Sequence, residues 1–261
     1  MSRIEILGVP IDCMSTREAL KEIASLFTRE GQCHIATPNP EMLVEAKRNP
    51  AFREVLQKTS LNLPDGVGLV WAIARRSATC STPGTGVRPE RITGTDTLQA
   101  LCSSELRICP PERVFLLGAA PGIAEKAAEV LHKKNPHLQI VGTYAGSPRE
   151  EEEEEIIRRI NEACPTLLFV AYGAPAQDLW IARNLPKLRT VKVAMGVGGA
   201  FDFIAGKKKR APAFLRKMGL EWLWRLLLEP RRFRRIWRAV VVFPWMVFTS
   251  PSPEPSSPVS H

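Results

Sequence analysis

The chain has 261 residues, 44% of them hydrophobic, which is enough to bury one main core with a small appendage. Its formal charge of +9 is not spread evenly: residues 207–238 hold twelve Lys/Arg against Glu221 and Glu229, and the rest of the chain is close to neutral. That distribution excludes a polycationic body and assigns any anionic partner to the C-terminal segment. The six cysteines (Cys13, Cys33, Cys80, Cys102, Cys109, Cys164) form no CxxC pair and no zinc spacing. They read as reduced, mostly buried thiols of a cytosolic protein. "MSRIEILGVPID" lacks the apolar core of an export signal.

In chain order, "RIEIL" (3–7) reads as a strand and "STREALKEIASLFTRE" as a helix opened by a Ser15/Glu18 capping box. "CHIAT" (33–37) is a strand stopped by "PNPE", and residues 41–59 are helical in two pieces around Pro50. "SLNLPDG" (60–66) is a short strand ending in a turn, followed by helical "VGLVWAIARR". Residues 77–90 are Ser/Thr/Gly/Pro-rich and read as a mobile loop, and Asp96 falls at or just inside a helix start.

"VFLLG" (114–118), "LQIVG" (138–142), "LLFVAYG" (167–173) and "VKVAMGVGG" (191–199) are apolar runs ending at glycine. Helical patterns at 121–134, 149–163 and 176–185 separate them. Continuous hydrophobicity means strands covered on both faces, so the expected fold is α/β, a Rossmann-like and mostly parallel sheet with flanking helices. The expected organisation is an α/β body over 1–206, a basic amphipathic appendage over 207–248 and a disordered tail over 249–261.

Metal chemistry has little to stand on: there are five aspartates, no D-x-D pair and four scattered histidines. G-x-S-x-G and a GK[ST] phosphate loop are absent, and "GVGGAFDF" carries Phe201 where a dinucleotide fingerprint needs glycine. Polar residues instead gather at predicted strand ends: Thr37 and Asn39, Asp65, Gln177 with Asp178, and Asp202. In a parallel sheet ligands bind at that edge. Each also has a plain structural reading, as a helix cap for Thr37 and Asn39 or a turn residue for Asp65. Gly118, opening "GAAPG", suits either a phosphate-binding helix N-terminus or a tight turn with no ligand. Arg91 could reach an anion at the sheet edge.

These residues carry a resemblance to the WecG/TagA/CpsF glycosyltransferase family over roughly residues 4–240. It rests on "TPNPEML", "LPDGVGLVW", "ERITGTD", "VFLLGAAPGIAEKAA", "VAYGAPAQDLWI", "VGGAFDFIAGKKKRAPAF" and "GLEWLWRLLLEPRRFRR". The resemblance implies inverting transfer of N-acetylmannosamine from its UDP sugar to GlcNAc-diphospho-undecaprenol, the linkage disaccharide of wall teichoic acid, without a metal or other cofactor. It implies Asp65 as catalytic base, Thr37 and Asn39 at the sugar, and Arg91, Gln177 and Asp202 in the nucleotide-sugar pocket. Two segments depart from the family pattern: P-K-Q-E reads Pro175-Ala176-Gln177-Asp178, and G-Y-F reads Gly146-Ser147-Pro148. They leave open another UDP sugar, such as the uronic acid used by other members, or a non-catalytic membrane-bound nucleotide-sugar-binding protein.

In the C-terminal segment Phe233, Ile236, Trp237, Val240 and Val241 repeat at helical spacing, with Arg231, Arg234, Arg235 and Arg238 on another face. That is the layout of a helix lying in a membrane interface. The uncharged run 239–248 is too short to span and contains Pro244. Nucleic acid is disfavoured because the aromatics lie with the aliphatics rather than among the arginines. The expectation is therefore a peripheral protein on the cytoplasmic face of the cell membrane, with Arg225, Arg232 and Arg235 on the acceptor's diphosphate. Whether it is a homo-oligomer is left open.

Overall fold

A computed structural model describes residues 2–79, 90–103, 113–212, 214–215 and 218–250, without the side chains of residues 77–79 and Arg232. Of the expected mobile loop at 77–90, residues 77–79 continue a helix instead, and residues 80–89 lie outside the described residues, as do Cys109 and most of the expected disordered tail.

The body is a six-stranded parallel sheet in the order β4-β3-β8-β7-β5-β6. Its strands are β3 (Cys33–Ala36), β4 (Leu61–Asn62), β5 (Arg113–Gly118), β6 (Gln139–Tyr144), β7 (Leu167–Ala171) and β8 (Val193–Gly196). The continuous apolar runs have the expected cause. On β5, Val114 and Leu116 face a core completed by α1 (Thr16–Leu26), α5 (Gly94–Leu101), α6 (Ile123–Lys134) and α9 (Ala200–Ile204). Phe115 and Leu117 face the opposite core, with α7 (Glu153–Ala163) and α8 (Ala176–Asn184). A strand with helices on both faces has no polar side to alternate with.

Local signals hold where their chemistry is local. Ser15 and Glu18 form the reciprocal capping box at the start of α1. Asn49 caps α3 (Pro50–Lys58) directly after α2 (Pro40–Arg48), splitting the helical run at Pro50. The single N-terminal strand is a correction: β1 (Ser2–Ile6) and β2 (Val9–Cys13) make an antiparallel hairpin through Leu7 and Gly8, both at positive φ. Pro10 hides β2 from pattern reading, yet it is tolerated because this two-stranded unit stands outside the main sheet. The hairpin is tied to β4 through Asp12, which accepts from Arg3 Nε at 2.7 Å and from the Asn62 N–H at 2.7 Å. Cys13, Cys33 and Cys102 are buried free thiols, while Cys164 is exposed.

A third core joins the hairpin, α2, α3 and α4 (Val67–Thr79) to the last of the chain's C-terminal helices. Those helices are α10 (Glu221–Leu228), α11 (Phe233–Trp237), a π-helical stretch Arg238–Val242 and α12 (Phe243–Thr249). The π turn, in which the Phe243 N–H bonds Arg238 O, sits just before Pro244. Pro244 has no N–H for the next helical bond, and the widened turn absorbs that loss. Phe243 and Val247 are fully buried in this third core, so α12 completes the body's packing.

Candidate functional site

The carboxyl ends of β3, β4, β7 and β8 open into a cleft of about 630 Å³. A second cavity of about 380 Å³ adjoins it. Asn39, Glu41, Asp65, Thr95, Arg225 and Arg235 line both, so the two meet at Asp65.

Backbone bonds fix that meeting point. The Leu63 N–H donates to Ala36 O at 2.9 Å and the Asp65 N–H to Pro38 O at 2.8 Å, which draws the turn after β4 against the turn after β3. Asn39 caps α2 by accepting from the Met42 N–H at 3.0 Å, so the structural and the functional readings hold together: it caps and it lines the site. The Thr37 hydroxyl lies 3.5 Å from Gly196 O at the end of β8.

On the cleft's far wall, Gln177 is 3% exposed and its side-chain carbonyl accepts from the N–H groups of Gly173 (3.1 Å) and Gly198 (2.9 Å). One buried amide thus fixes the loops after β7 and β8, and Gly196 is required beneath it, since a Cβ there would stand 2.5 Å from Gln177 Nε2. Asp178 points away from the cleft: it is fully buried, with Oδ1 3.4 Å from His34 Nε2. Asp202 lines the cleft beside Gly199 and Phe203.

Gly118 stands apart from these residues. It lines neither cavity, and at φ +104 a Cβ would meet the Ala171 backbone at 2.9 Å. Its glycine therefore answers to strand packing and a left-handed turn rather than to a phosphate in this cleft. The departures Ala176, Asp178, Ser147 and Pro148 also line neither cavity.

Cations from the C-terminal segment close the site. Arg225 on α10 donates to Glu221 at 2.8 Å, stands over the Phe203 ring at 5.0 Å, and keeps a buried Nε with no hydrogen-bond partner among the described residues. Arg91 reaches the same Glu221 at 3.4 Å from the other side. Arg235 pairs with Glu41 at 2.6 Å, and Arg238 stands 3.6 Å from Glu45. The four expected arginines of the helical face thus divide: Arg235 and Arg238 turn to α2 and the cleft, while Arg231 and Arg234 are exposed. Arg232 has its side chain outside the described residues. Sequence reading missed Arg210, held bidentately by Asp96 at 2.6 and 2.7 Å in the second cavity, and Lys208 in the first. It also missed Glu41 and Glu221, because these pairs join residues more than a hundred positions apart.

Asp65 is the electrostatic centre. Burial pushes its carboxyl up to about 7; Arg225 and Arg91 pull it down, while Glu221 and Asp96 push it further up. A carboxyl poised there exchanges a proton near neutral pH, which is what general acid–base work demands. No cluster of three or more His, Cys, Asp or Glu suited to a metal ion occurs among the described residues.

Residues 4–255 match the Glycosyl transferase WecG/TagA/CpsF family. Similar curated proteins include the N-acetylglucosaminyldiphosphoundecaprenol N-acetyl-beta-D-mannosaminyltransferases of Staphylococcus aureus strains MRSA252, NCTC 8325 / PS 47 and COL. Each is 28% identical over 248 residues, covering 94% of this chain and 92% of the relative. With a match over nearly its whole length, the chain belongs to the WecG/TagA/CpsF family of glycosyltransferases.

Proposed function

We propose that this enzyme transfers N-acetylmannosamine from UDP-ManNAc to GlcNAc-diphospho-undecaprenol with inversion; the names of its relatives give, for them, the sugar transferred and the acceptor. The observation that carries the reading is Asp65 at the junction of two cavities, each able to hold one substrate. The donor occupies the larger cleft, among Thr37, Asn39, Gln177 and Asp202. Asp65 takes the proton of the acceptor hydroxyl as its oxygen bonds the anomeric carbon, while the bond from that carbon to the β-phosphate oxygen breaks on the opposite face. UDP departs as an anion and needs no proton. Arg225, Arg235, Arg238 and Lys208 meet the growing negative charge, and a fixed guanidinium is well suited to a diphosphate. Because these cations supply the charge, turnover proceeds without a divalent metal, and EDTA leaves the rate unchanged.

The site of action is the cytoplasmic surface of the cell membrane, reached without crossing it. In support, no helix among the described residues is long and apolar enough to span a bilayer. Trp237, Val241, Trp245 and Phe248 stand exposed beside the basic helices.

The test measures UDP release from a panel of UDP sugars, with and without a GlcNAc-diphosphate lipid. Acceptor-dependent release, fastest with UDP-ManNAc, is expected. Faster release from another sugar, such as the corresponding uronic acid, would overturn the donor, and donor binding with no release would favour a binding protein.

A further inference from the structure

The second cavity differs in kind from the first. Its walls carry Val67, Trp71, Trp222, Ile236, Val240 and Pro244, all apolar. Its inner end, by contrast, is polar: the four arginines Arg91, Arg210, Arg225 and Arg235 stand there with Asp65, Glu41 and Glu221. Its outer end reaches Trp71 and Val240, both partly exposed, and Trp71 packs on Phe248 with ring centroids 5.3 Å apart. An apolar trough thus runs from the junction at Asp65 to an exposed apolar surface, with arginines at the junction.

We propose that this trough binds the first isoprene units of the acceptor's lipid, with the diphosphate on the arginines, so that the enzyme reads the prenyl chain as well as the sugar. The proposal rests on the acceptor assigned above. Charge and polarity together select the occupant: an anionic head with an apolar chain attached directly to it. Uridine and sugars are polar throughout and suit the other cleft. The cavity also sets a limit, because 380 Å³ holds only the beginning of a long polyprenyl chain, and the remainder leaves past Trp71 and Val240. Reading the first units in a protein pocket would place the diphosphate, and so the acceptor hydroxyl, at a fixed distance from Asp65.

Calorimetry of the full chain, without vesicles or detergent, tests this with inorganic diphosphate, farnesyl diphosphate and a water-soluble short-chain phosphatidylglycerol. Each fully buried methylene is worth about fourfold in affinity, so two to three of them give farnesyl diphosphate roughly a 16- to 60-fold advantage over inorganic diphosphate. Ala239 lines the trough, and Ala239→Phe fills it; the farnesyl-to-diphosphate ratio then collapses toward one. Taking the ratio within each variant cancels any inactive fraction. Equal binding of the two diphosphates, or a ratio that survives Ala239→Phe, overturns the proposal. So does phosphatidylglycerol matching farnesyl diphosphate, which would assign the trough to a bilayer lipid. Because the donor plays no part in this measurement, its failure is separable from that of the transfer reaction. Chain-selective binding with no UDP release from any acceptor would refute the reaction and leave the trough.

Discussion

At Asp65, local chemistry sets the pH response. Burial pushes the carboxyl up to about 7, and in the proposed mechanism it serves as a base only when ionised. The log of kcat/KM therefore rises with slope one up to about pH 7 and then levels. Asp65→Asn lowers kcat by about 10²–10⁴-fold, the usual contribution of a positioned base, while UDP-sugar binding persists. Glu221 is part of this tuning, since its charge opposes ionisation of Asp65. Glu221→Gln shifts the acid limb of kcat/KM to lower pH, and an unmoved limb would remove Glu221 from the electrostatics of the base. Stability carries the opposite sign. A carboxyl whose folded pKa is raised binds more protons in the native state than in the unfolded chain between about pH 4 and 7, so its contribution falls as pH rises through that window. Asp65→Asn should then melt higher than the parent at pH 8, with the advantage shrinking toward pH 4. Thr37, Asn39, Asp65, Gln177 and Asp202 were readable because strand ends in a parallel sheet converge whatever the rest of the chain does. Arg210 and Glu221 were not, because their partners are set by packing between distant segments.

At the level of elements, the C-terminal helices show where pattern reading reaches its limit. Helical spacing over 231–241 assumes one regular helix, but the chain there runs through a 3-10 turn, a short α-helix and a π turn, and the four arginines split between two directions. Packing decides what faces the body, twice over. Arg235 and Arg238 match Glu41 and Glu45 of α2, and Phe243 with Val247 enters the core between α2 and α4. The hairpin strand β2 was hidden for the converse reason, since its partner is the adjacent strand and its proline breaks the usual signal. Because Phe243 is completely enclosed, Phe243→Ala removes a full aromatic from a packed interior and should cost about 3–5 kcal/mol of unfolding free energy, read from urea denaturation. A loss below ~1 kcal/mol would mean that α12 detaches from the body in solution. The same burial makes deletion of everything after residue 206 a poor probe of the basic segment, because it opens the third core along with removing the cations.

For the molecule as a whole, side chains that face outward are the right probe of a surface role. Leu227, Leu228, Phe233, Trp237, Val241, Trp245 and Phe248 are all more than 40% exposed, and they lie on the chain's cationic segment or in the uncharged run that directly follows it. A concentration of large apolar side chains at a basic surface is costly in water and favourable at an anionic bilayer interface, where tryptophan suits the headgroup level. Its location also fits the chemistry: the second cavity shares Val240 with this surface, so a lipid-linked substrate could pass from the bilayer toward Asp65 without entering bulk water. Trp237→Ser/Trp245→Ser leaves Phe243 and Val247 in the core and should preserve the urea midpoint. The same pair should weaken sedimentation with phosphatidylglycerol vesicles at least ~10-fold, given the apolar area no longer buried in lipid. Raising salt should weaken the parent further by screening Arg231 and Arg234, both exposed. If the double variant binds vesicles as tightly as the parent while charge reversal at Arg231 and Arg234 abolishes binding, the contact is electrostatic alone. The exposed tryptophans would then need another partner.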